Sequence, residues 1–590
     1  MKLAGSQMHS SVPLRMALLS SCTVQLFPEL LKQELGAAGF DAEFWVAGFD
    51  QVRQQLLDPG SELFANRPDA VLLYLDGEDL FRDCLANPFA FDDAAKLNIV
   101  AARAAELRQL VSAARRHLPE TAFLLNTIAL PPLTPLTGLE YNSEYSLYDI
   151  SYEYNRALSA LARETHAVIV VDAAAVMAWV GYRQWHDSRL WYLARSRWSR
   201  AAMRELAVRY TAAFAAWCGP ARKCIVLDLD HMLWGGIVGE DGAESLQLGE
   251  EGVGLAFVEF QQELLNLSRK GILLTICSKN NPDDALAVIR SHPSMRLREE
   301  NFASIRINWA DKATNLRSIA EELDLGLDSL VFIDDNPAER ALVSQALPQV
   351  LVPAWPSDPA EYKFALLGLA MQAFPKLRLA EEDRSRAAMY RTQAARRTLE
   401  AQTCTLEDYY GALQMVARIG RADAFTVPRI AQLTQKTNQF NLTARRYTEA
   451  EIAALAVSSE ALVLWLELAD RFGPNGLVGV LIFRKESMAL WRIDTFLLSC
   501  RVIGRTVERA FLSHACALLR SLGIARLVGE YRPTPRNGVA ASQYASLGFS
   551  AVPQPVGHGD TTCWELDLTR QSVPAPEWIE IVPVAETVHA

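Results

Sequence analysis

The sequence lacks a disulfide framework. Its nine cysteines are odd in number, scattered along the chain, and form no Cys-x-x-Cys pair. This pattern argues against paired disulfides and against a zinc site, and it predicts a reducing, cytoplasmic compartment. A lipoprotein-like box, Leu19-Ser20-Ser21-Cys22, follows an apolar stretch that is too short for a signal core, so a buried strand at Arg15–Val24 is expected there.

The sequence also lacks a long apolar run and an excess of positive charge. The apolar stretch 122–139 is broken by Asn126 and three prolines, so no membrane-spanning helix is predicted. The net charge of −11 disfavours nucleic acid as the main partner, because a polyanion would be repelled on average. A length of 590 residues with 50% hydrophobic residues predicts several globular domains.

Residues 1–219 alternate strand-like and helix-like segments, which predicts an α/β domain with a parallel sheet. The expected strands are Leu14–Leu19, Ala42–Val46, Ala70–Leu75, Ala122–Ile128 and Ala167–Val171. This domain resembles a flavodoxin-type layer of the SGNH esterase class. That class needs an Asp-x-x-His near the end of the domain, but only His186-Asp187 is present, in the wrong order. We therefore expect a structural or partner-docking domain that is not catalytic.

Four further segments are predicted from composition and pattern. A second α/β domain spans 220–355, and a charged, helix-favouring connector spans 356–420. A third domain, 421–572, alternates strands and helices in an α+β pattern. The tail, 573–590, is proline-rich and polar, and it is expected to be poorly ordered.

The second domain begins with a strand that ends in two acids. Lys223–Leu227 is continuously apolar after its lysine, as in a fully buried parallel strand, and Asp228-Leu229-Asp230 follows. Two carboxylates two residues apart point the same way if strand geometry continues. They would then bind one Mg²⁺, and one would attack phosphorus while the other manages the leaving-group proton.

Three more polar positions follow in order. The strand Gly271–Cys277 leads to Ser278, whose hydroxyl can bond a phosphate oxygen. Lys312 begins a predicted helix and can offset the charge of the aspartate and the phosphoryl group. The strand Leu330–Ile333 ends in Asp334-Asp335, which complete the metal site.

In residue type and order, these segments resemble the haloacid-dehalogenase (HAD) superfamily of phosphoryl-transfer enzymes. The resemblance implies an aspartate nucleophile, an acid/base aspartate, a phosphate-binding hydroxyl, a bridging lysine and metal-binding acids. The matching positions are Asp228, Asp230, Ser278, Lys312, and Asp334 with Asp335. The expected Mg²⁺ ligands are Asp228, Asp230, Asp334 and Asp335.

One position departs from the superfamily pattern. The superfamily usually has Thr or Val four residues after the nucleophile, whereas this chain has Met232, preceded by His231. Neither residue removes a charge or a ligand, and their effect on phosphatase turnover stays open. The segment between the first two motifs is too short for a large cap domain, and Gly235–Gly242 predicts a small β flap. An open site of this kind suits a bulky substrate, or a lid supplied by another domain.

The third domain carries a strand order that resembles the GNAT acyltransferase fold. The expected strands are Ala461–Ala469, Leu477–Phe483, Met488–Leu498 and Arg526–Tyr531, with a helix at Val507–Leu522. A glycine-containing loop that enters a helix presents backbone N–H groups to a phosphate. In the GNAT family an Arg-x-x-Gly-x-Gly loop holds the pantetheine pyrophosphate. Arg501 and Gly504 match that loop, Arg505 lies within it, and Thr506 replaces the last glycine.

The whole chain resembles the FkbH-like proteins of polyketide assembly lines. The segments that carry this resemblance are Lys223–Gly242, Lys436–Thr443, Asp470–Gly479 and Leu498–Glu508. The resemblance implies transfer of a glyceryl unit from 1,3-bisphosphoglycerate to the phosphopantetheine thiol of an acyl carrier protein, with Mg²⁺-dependent dephosphorylation. The polar run Lys436–Thr443 is poor in helix formers and is interpreted as a recognition loop.

Cys500 is the candidate to carry the acyl group in transit. It abuts Arg501 and precedes the helix expected from Val507, and both features lower a thiol pKa. Cys277, next to Ser278, is the second choice, and Cys224 is expected to be an inert core thiol. Direct attack by the carrier thiol on the acyl phosphate is the alternative.

Two other functions stay open at the level of sequence. A small-metabolite phosphatase would use the third domain for regulation or dimerisation. A non-catalytic scaffold that docks carrier proteins would account for Met232 and for the degenerate first domain. The sequence does not indicate the oligomeric state or the final natural product.

Overall fold

The computed structural model of the chain describes residues 13–219, 221–377, 379, 396, 399, 403, 405–437, 439–534, 537–553 and 561–584. The chain divides into two compact units, Met1–Ala388 and Met389–Ala590. Within the described residues, no helix is both long enough and apolar enough to cross a membrane.

The first unit opens with a five-stranded parallel sheet, which confirms the predicted α/β layer. Its strands are β1 (Leu14–Ser20), β2 (Ala42–Val46), β3 (Ala70–Tyr74), β4 (Ala122–Asn126) and β5 (Val168–Val171). Their order in the sheet is β2-β1-β3-β4-β5, which is the flavodoxin-like order. Alternate residues of β1 enter two separate cores, because period-two geometry sends them to opposite faces of the sheet.

Eleven helices lie around this sheet in the described part of the chain. They are α1 (Phe27–Ala37), α2 (Val52–Leu57), α3 (Glu62–Asn66), α4 (Gly77–Leu80), α5 (Arg82–Ala86), α6 (Asp93–Arg115), α7 (Leu147–Glu164), α8 (Ala173–Val180), α9 (Tyr182–Trp185), α10 (Ser188–Ala194) and α11 (Arg200–Cys218). The short helix α4 is capped by Asp76, whose side chain accepts hydrogen bonds from the amides of Glu78 and Asp79.

A buried arginine holds the acidic turn after β3. The guanidinium of Arg197 pairs with Asp76 at 2.8 Å, with Glu78 at 2.7 Å and with Asp79 at 3.0 Å. It also lies over the ring of Trp191, 3.9 Å from the ring centre. Burial raises the pKa of Asp76 to about 7, even though Arg197 opposes the shift. The cluster is therefore held together by one cation.

We expect Arg197→Met to destabilise the N-terminal domain by about 3–5 kcal/mol, because the variant leaves buried carboxylates without their partner. Hydrogen exchange of peptides from β1 and β3 should speed up accordingly. Arg183→Met, at an exposed position, serves as the control. Equal exchange in the two variants would contradict this role for Arg197.

The second half of the first unit is built on a four-stranded parallel sheet. Its strands are β6 (Cys224–Leu227), β7 (Leu273–Ser278), β8 (Phe302–Ile307) and β9 (Leu330–Ile333), in the order β8-β7-β6-β9. The helices are α12 (Val238–Asp241), α13 (Gly252–Arg269), α14 (Pro282–Ser291), α15 (Lys312–Glu322), α16 (Pro337–Ala346) and α17 (Tyr362–Ala373). Because all four strands are parallel, their carboxyl ends meet at one edge of the sheet.

One prediction for this region was wrong. The segment Gly235–Gly242 is not a β flap. It contains the helical turn α12. The N–H of Ile237, just before this turn, donates a hydrogen bond to the Asp241 carboxylate at 2.8 Å. The segment makes a single β-bridge, between Gly235 and Gln247. The predicted connector begins with α17, which packs into the central core through Tyr362, Leu366 and other residues. The middle of that connector, 380–395, lies outside the described residues.

The second unit is built on a large mixed sheet. Its strands are β10 (Met415–Arg421), β11 (Phe440–Asn441), β12 (Ala461–Asp470), β13 (Gly473–Lys485), β14 (Leu490–Leu498), β15 (Arg526–Tyr531), β16 (Ser550–Val552), β17 (Thr562–Asp567) and β18 (Ile579–Pro583). The helices are α18 (Leu406–Leu413), α19 (Val427–Lys436), α20 (Glu449–Ala456), α21 (Val507–Ser521) and α22 (Gln543–Ser546). The sheet order is β16-β17-β15-β14-β13-β12-β10-β18, with β11 against β14.

The predicted strand order of this unit is confirmed, including the helix between β14 and β15. These two strands pair in parallel, whereas β12, β13 and β14 form an antiparallel meander. The fold class is therefore α/β in the first unit, with a GNAT-like α+β second unit. The prediction of a poorly ordered tail was wrong for the part that is described, because β18 pairs with β10 and Trp578 donates a hydrogen bond to Thr506 at 2.8 Å.

Candidate functional site

Asp228 stands at the carboxyl end of β6, in the middle of the central sheet. Its backbone N–H bonds the carbonyl of Ile333 at 3.1 Å, which continues the ladder with β9. One carboxylate oxygen, Oδ2, lies 3.0 Å from Lys312 Nζ. The other, Oδ1, is buried and has no hydrogen-bond partner among the described residues. A buried carboxylate oxygen without a partner is costly unless a ligand or metal completes it.

Lys312 bridges two acids from within the protein. It is the first residue of α15, which is capped by the Asp311 side chain through the Thr314 amide at 2.8 Å. The lysine side chain is 3% exposed, and its Nζ lies 2.5 Å from Asp334 Oδ2. Burial lowers the pKa of Lys312, but Asp228 and Asp334 outweigh burial and hold it above its usual value. The lysine therefore stays charged.

Asp334 and Asp335 follow β9 at the same edge of the sheet. The Asp334 carboxylate is fully buried and accepts a hydrogen bond from the Asn336 amide at 2.8 Å. Burial, then Asp228, raises the pKa of Asp334 to about 6 even though Lys312 opposes the shift. Burial and Asp228 also raise the pKa of Asp335. Repulsion among these carboxylates is thus only partly relieved by one lysine.

These acids form a group that suits a metal ion. Carboxylate oxygens of Asp228, Asp334 and Asp335 all lie within 4.8 Å of one another. Carboxylate oxygens are the ligands that hard divalent cations prefer. The unpartnered Oδ1 of Asp228 and the raised pKa values of the other two acids are the features that such a cation would compensate.

The structure places Asp230 differently from the prediction, which made it a metal ligand. Its Oδ1 accepts hydrogen bonds from Trp234 Nε1 at 2.8 Å and from the Val238 amide at 3.1 Å. Its Oδ2 accepts one from Asn280 Nδ2 at 2.7 Å. The prediction assumed that strand geometry continues past Asp228, but β6 ends at Leu227. The side chain of Asp230 therefore lies outside the three-acid group.

Sequence reasoning missed the residues that hold Asp230. Trp234 and Asn280 both donate to its carboxylate, and Tyr362 donates its hydroxyl to the carbonyl of the next residue, His231, at 3.0 Å. The position of Asn280, two residues after a strand end on the same edge, was a usable signal. The contact of Tyr362 was not, because it is more than a hundred residues away in sequence.

Ser278 is where the sequence predicted it. It is the last residue of β7, which lies beside β6, and it is buried. Cys277 and Cys224 are buried in the same sheet, and burial raises the pKa of each thiol to about 12. A raised pKa keeps a thiol protonated and unreactive, so neither is suited to carry an acyl group.

The N-terminal sheet shows no catalytic arrangement at its serines within the described residues. The hydroxyl of Ser21 accepts a hydrogen bond from the Asp76 amide at 2.9 Å, and the hydroxyl of Ser20 lies 3.4 Å from Cys22 Sγ. A cavity of about 890 Å³ lies nearby, lined by Ser21, Cys22 and charged residues of α2 to α6. It is remote in chain and in sheet from the three-acid group, and nothing in it resembles a nucleophile with its base.

The predicted anion-binding loop, 499–506, joins β14 to α21. Gly504 has a φ of 81°, and its carbonyl accepts a hydrogen bond from the hydroxyl of Tyr410 at 2.7 Å. Thr506 has a φ of 59°, a conformation that favours the glycine expected there. Arg505 is buried beside Asp470, 3.4 Å from its carboxylate, and Asp470 also pairs with Arg396 at 2.6 Å. The direct contact of Arg501 and Arg505 with a ligand stays a prediction, and the side chain of Cys500 lies outside the described part.

Among solved structures, the chain is similar to the N-terminal part of the protein BF1531 from Bacteroides fragilis, which contains a phosphatase domain and is complexed with Mg. The identity is 29% and the TM-score 0.56, and the match covers 61% of this chain and 94% of that chain. Together with the three-acid site, this similarity shows that the chain is an enzyme whose first unit shares the fold of that phosphatase-containing structure. No protein-family model and no curated protein matches the chain.

Two other solved structures match about a quarter of the chain each. One is the ribosomal-protein-S18-alanine N-acetyltransferase from Escherichia coli, with 19% identity, a TM-score of 0.21, and coverage of 27% of this chain and 97% of that chain. The other is the GNAT domain of PAT from S. lividans, with 15% identity, a TM-score of 0.21, and coverage of 25% and 89%. Because these TM-scores are low, the GNAT-like fold of the second unit rests on its own strand order.

Proposed function

We propose that this enzyme transfers a glyceryl unit from 1,3-bisphosphoglycerate to the phosphopantetheine thiol of an acyl carrier protein and removes the remaining phosphate, supplying a polyketide building block. The observation that carries the phosphatase half is the buried, unpartnered Oδ1 of Asp228 beside Lys312 and two further acids. The GNAT-like second unit supports the acyl-transfer half. Because the two units belong to one chain, we combine the dephosphorylation and the acyl transfer in one reaction.

In the dephosphorylation step, the Asp228 carboxylate attacks the phosphorus of the phosphate ester. The bond from phosphorus to the glyceryl oxygen breaks, and Asp230 supplies the proton to that oxygen. Asp230 then takes a proton from a water molecule, whose oxygen attacks the phosphorus of the aspartyl phosphate; the bond to Asp228 breaks and inorganic phosphate leaves. Mg²⁺ held by Asp228, Asp334 and Asp335 would neutralise the phosphate charge, and Lys312 orients the attacking carboxylate.

In the acyl-transfer step, a thiolate attacks the carbonyl carbon of the acyl phosphate. The carbon–oxygen bond to phosphate breaks, so inorganic phosphate leaves and a thioester forms. We place the phosphate of the carrier's phosphopantetheine at the 499–506 loop, where the backbone enters α21. The N-terminal sheet is assigned a docking role without catalysis, because its serine hydroxyls are used in turns.

The test is intact-mass measurement of a holo carrier protein incubated with the enzyme, Mg²⁺ and 1,3-bisphosphoglycerate. A carrier that gains the glyceryl mass without the phosphate supports the proposal. Phosphate release that proceeds equally well without carrier would instead make the chain a small-metabolite phosphatase. Carrier binding without phosphate release would make it a docking scaffold, and either result overturns the proposal.

Cys500 is proposed as the relay that holds the acyl group before the carrier receives it. Its backbone lies in the short 3-10 helix Cys500–Val502, which follows β14 and precedes α21. Cys500→Ala should then acquire no acyl mass in the absence of carrier, while Cys563→Ala, a partly exposed thiol, should behave as wild type. Loading of carrier by Cys500→Ala at the wild-type rate would show that the carrier thiol attacks directly.

The affinity of the enzyme for Mg²⁺ should fall at low pH. The metal binds deprotonated carboxylates, and the pKa of Asp334 is raised to about 6. Affinity should therefore be constant above about pH 7 and decrease below pH 6, by about tenfold per pH unit for each proton displaced. Calorimetric titration with Mg²⁺ from pH 5 to pH 8 measures this, and an affinity independent of pH would contradict it.

A further inference from the structure

The parallel strands β14 and β15 diverge inside the second unit. They pair only from Leu490 to Ile493 against Arg526 to Gly529. The rest of β14, Asp494–Leu498, has no pairing with β15, and the loop that leads to α21 begins at its end. Two neighbouring strands that part in this way leave a wedge lined by main-chain N–H and C=O groups, open toward the 499–506 loop.

A segment from elsewhere in the chain fills this wedge. Phe440 and Asn441, which form β11, pair antiparallel with Leu498 and Leu497. Beyond them, the Leu442 amide bonds the carbonyl of Phe496 at 3.1 Å. On the other side of the wedge, the Arg532 amide, directly after β15, bonds the carbonyl of Leu442 at 2.8 Å. We call Phe440–Thr443 the inserted strand.

The inserted strand is packed as firmly as the strands beside it. All four of its residues are buried. The ring of Phe440 contacts that of Phe496 edge to face, 5.6 Å between centres. The hydroxyl of Thr443 donates to the carbonyl of Asp494 at 2.9 Å. These contacts correct the interpretation of 440–443 as part of a recognition loop.

One buried amide fastens the inserted strand to the far side of the wedge. Asn537 is fully buried, and its Nδ2 donates to the carbonyls of Asn441 and Arg532, each at 2.9 Å. Its Oδ1 accepts the Thr534 amide at 2.7 Å. The carbonyls of Phe496 and Asp494 and the amide of Arg532, which a strand-like ligand would meet here, are thus already bonded by the chain itself.

We propose that the inserted strand closes this wedge to free coenzyme A and pantetheine, so that the second unit takes no thiol substrate from solution in this groove. A pantetheine arm is an extended chain with two amides, and it would enter such a wedge as an added strand does, through main-chain hydrogen bonds. Here it would first have to displace Phe440–Thr443. The thiol served by the 499–506 loop therefore reaches it from outside the wedge, on a partner that docks on the surface.

The inference rests on the proposed function, since it takes the second unit to be the acyl-transfer unit. Its test does not use phosphate release or carrier loading. A chain that fails to load carrier would refute the proposed function and leave the coenzyme A result unchanged. Coenzyme A bound in the wedge of the native chain would overturn only the present inference.

The experiment titrates coenzyme A into the full-length protein by calorimetry and follows hydrogen exchange of peptides that cover 439–443. The native chain should bind with a Kd weaker than about 1 mM and show slow exchange that coenzyme A does not change. Asn537→Ala removes the amide that fastens the strand, and Phe440→Gly removes the packed ring. Each should speed exchange of 439–443 and lower the Kd for coenzyme A at least tenfold.

Gln571→Ala, an exposed amide, is the matched control and should behave as the native chain. Tight binding of coenzyme A to the native chain, with faster exchange of 439–443, would show that the strand yields to the ligand and would overturn the proposal. A variant that speeds exchange without binding coenzyme A would show that the wedge is not a pantetheine site. If neither variant speeds exchange, the segment is not a separable insert, and the proposal fails.

Discussion

Asp228→Asn is expected to abolish phosphate release, with a loss of at least about a thousandfold, because the nucleophilic oxygen is replaced by an amide that cannot attack phosphorus. The fold should be unaffected, since asparagine has nearly the same shape as aspartate. The backbone bond from residue 228 to Ile333 and the packing of β6 do not depend on the carboxylate. Release of phosphate from a simple phosphate ester measures the effect.

Although Asp228→Asn should lose activity, it should not lose stability in the absence of metal. Two buried acids, Asp228 and Asp334, share one lysine, and the pKa of Asp334 is raised to about 6 by burial and by Asp228. Neutralising residue 228 removes one source of that repulsion, so the melting temperature in EDTA should not fall. Asp283→Asn, in the exposed first turn of α14, is the control and should keep full activity. Wild-type turnover by Asp228→Asn would end the assignment of the nucleophile.

The strand ends that carry the site could be predicted because they depend on local pattern alone. The run Cys224–Leu227 is completely buried and is followed at once by Asp228, and Leu330–Ile333 is followed by Asp334 in the same way. A continuous apolar stretch ended by an acid is readable without knowing the neighbours. Parallel alignment then brings the ends to one edge of the sheet.

The orientation of Asp230 could not be predicted in this way. It depends on donors from three places, namely Trp234, the turn at Val238, and Asn280 on the neighbouring strand end. The flap predicted from the glycines of 235–242 was wrong for a similar reason. Their local signal is a turn, whereas the burial of Trp234 and Val238 in the core selects a short helix.

The inserted strand is the clearest case of tertiary structure overriding local preference. The run 436–443 that contains it is largely polar and poor in helix formers, which locally favours a loop. Its main-chain partners lie more than fifty residues away in sequence: Leu497 and Leu498 pair with β11, and Phe496 and Arg532 bond Leu442. Tertiary contacts also override the local preference of the tail, because β18 is a strand through its pairing with β10.

Lys312→Met should reduce phosphate release by at least about a hundredfold, because the charge that offsets both Asp228 and the phosphoryl group is lost. It should also destabilise the metal-free protein by about 3–5 kcal/mol, since two buried carboxylates lose their partner. Lys363→Met is the control. It removes a partly exposed lysine paired with Glu259 at 3.3 Å, and it should cost less than about 1 kcal/mol.

The direction of the pH effect distinguishes this role of Lys312 from simple packing. The pKa of Asp334 in the folded chain, about 6, lies above its usual value of 3.8, so folding disfavours the ionised form. Stability from this group is therefore full at low pH and is lost as pH rises through about 6. Without Lys312 the folded pKa should rise further, and the loss should extend to higher pH. Melting temperatures of Lys312→Met in EDTA should then fall more steeply than wild type from pH 5 to pH 8, and Mg²⁺ should restore part of the difference. Parallel profiles for the two proteins would show that Lys312 acts only as a packed side chain.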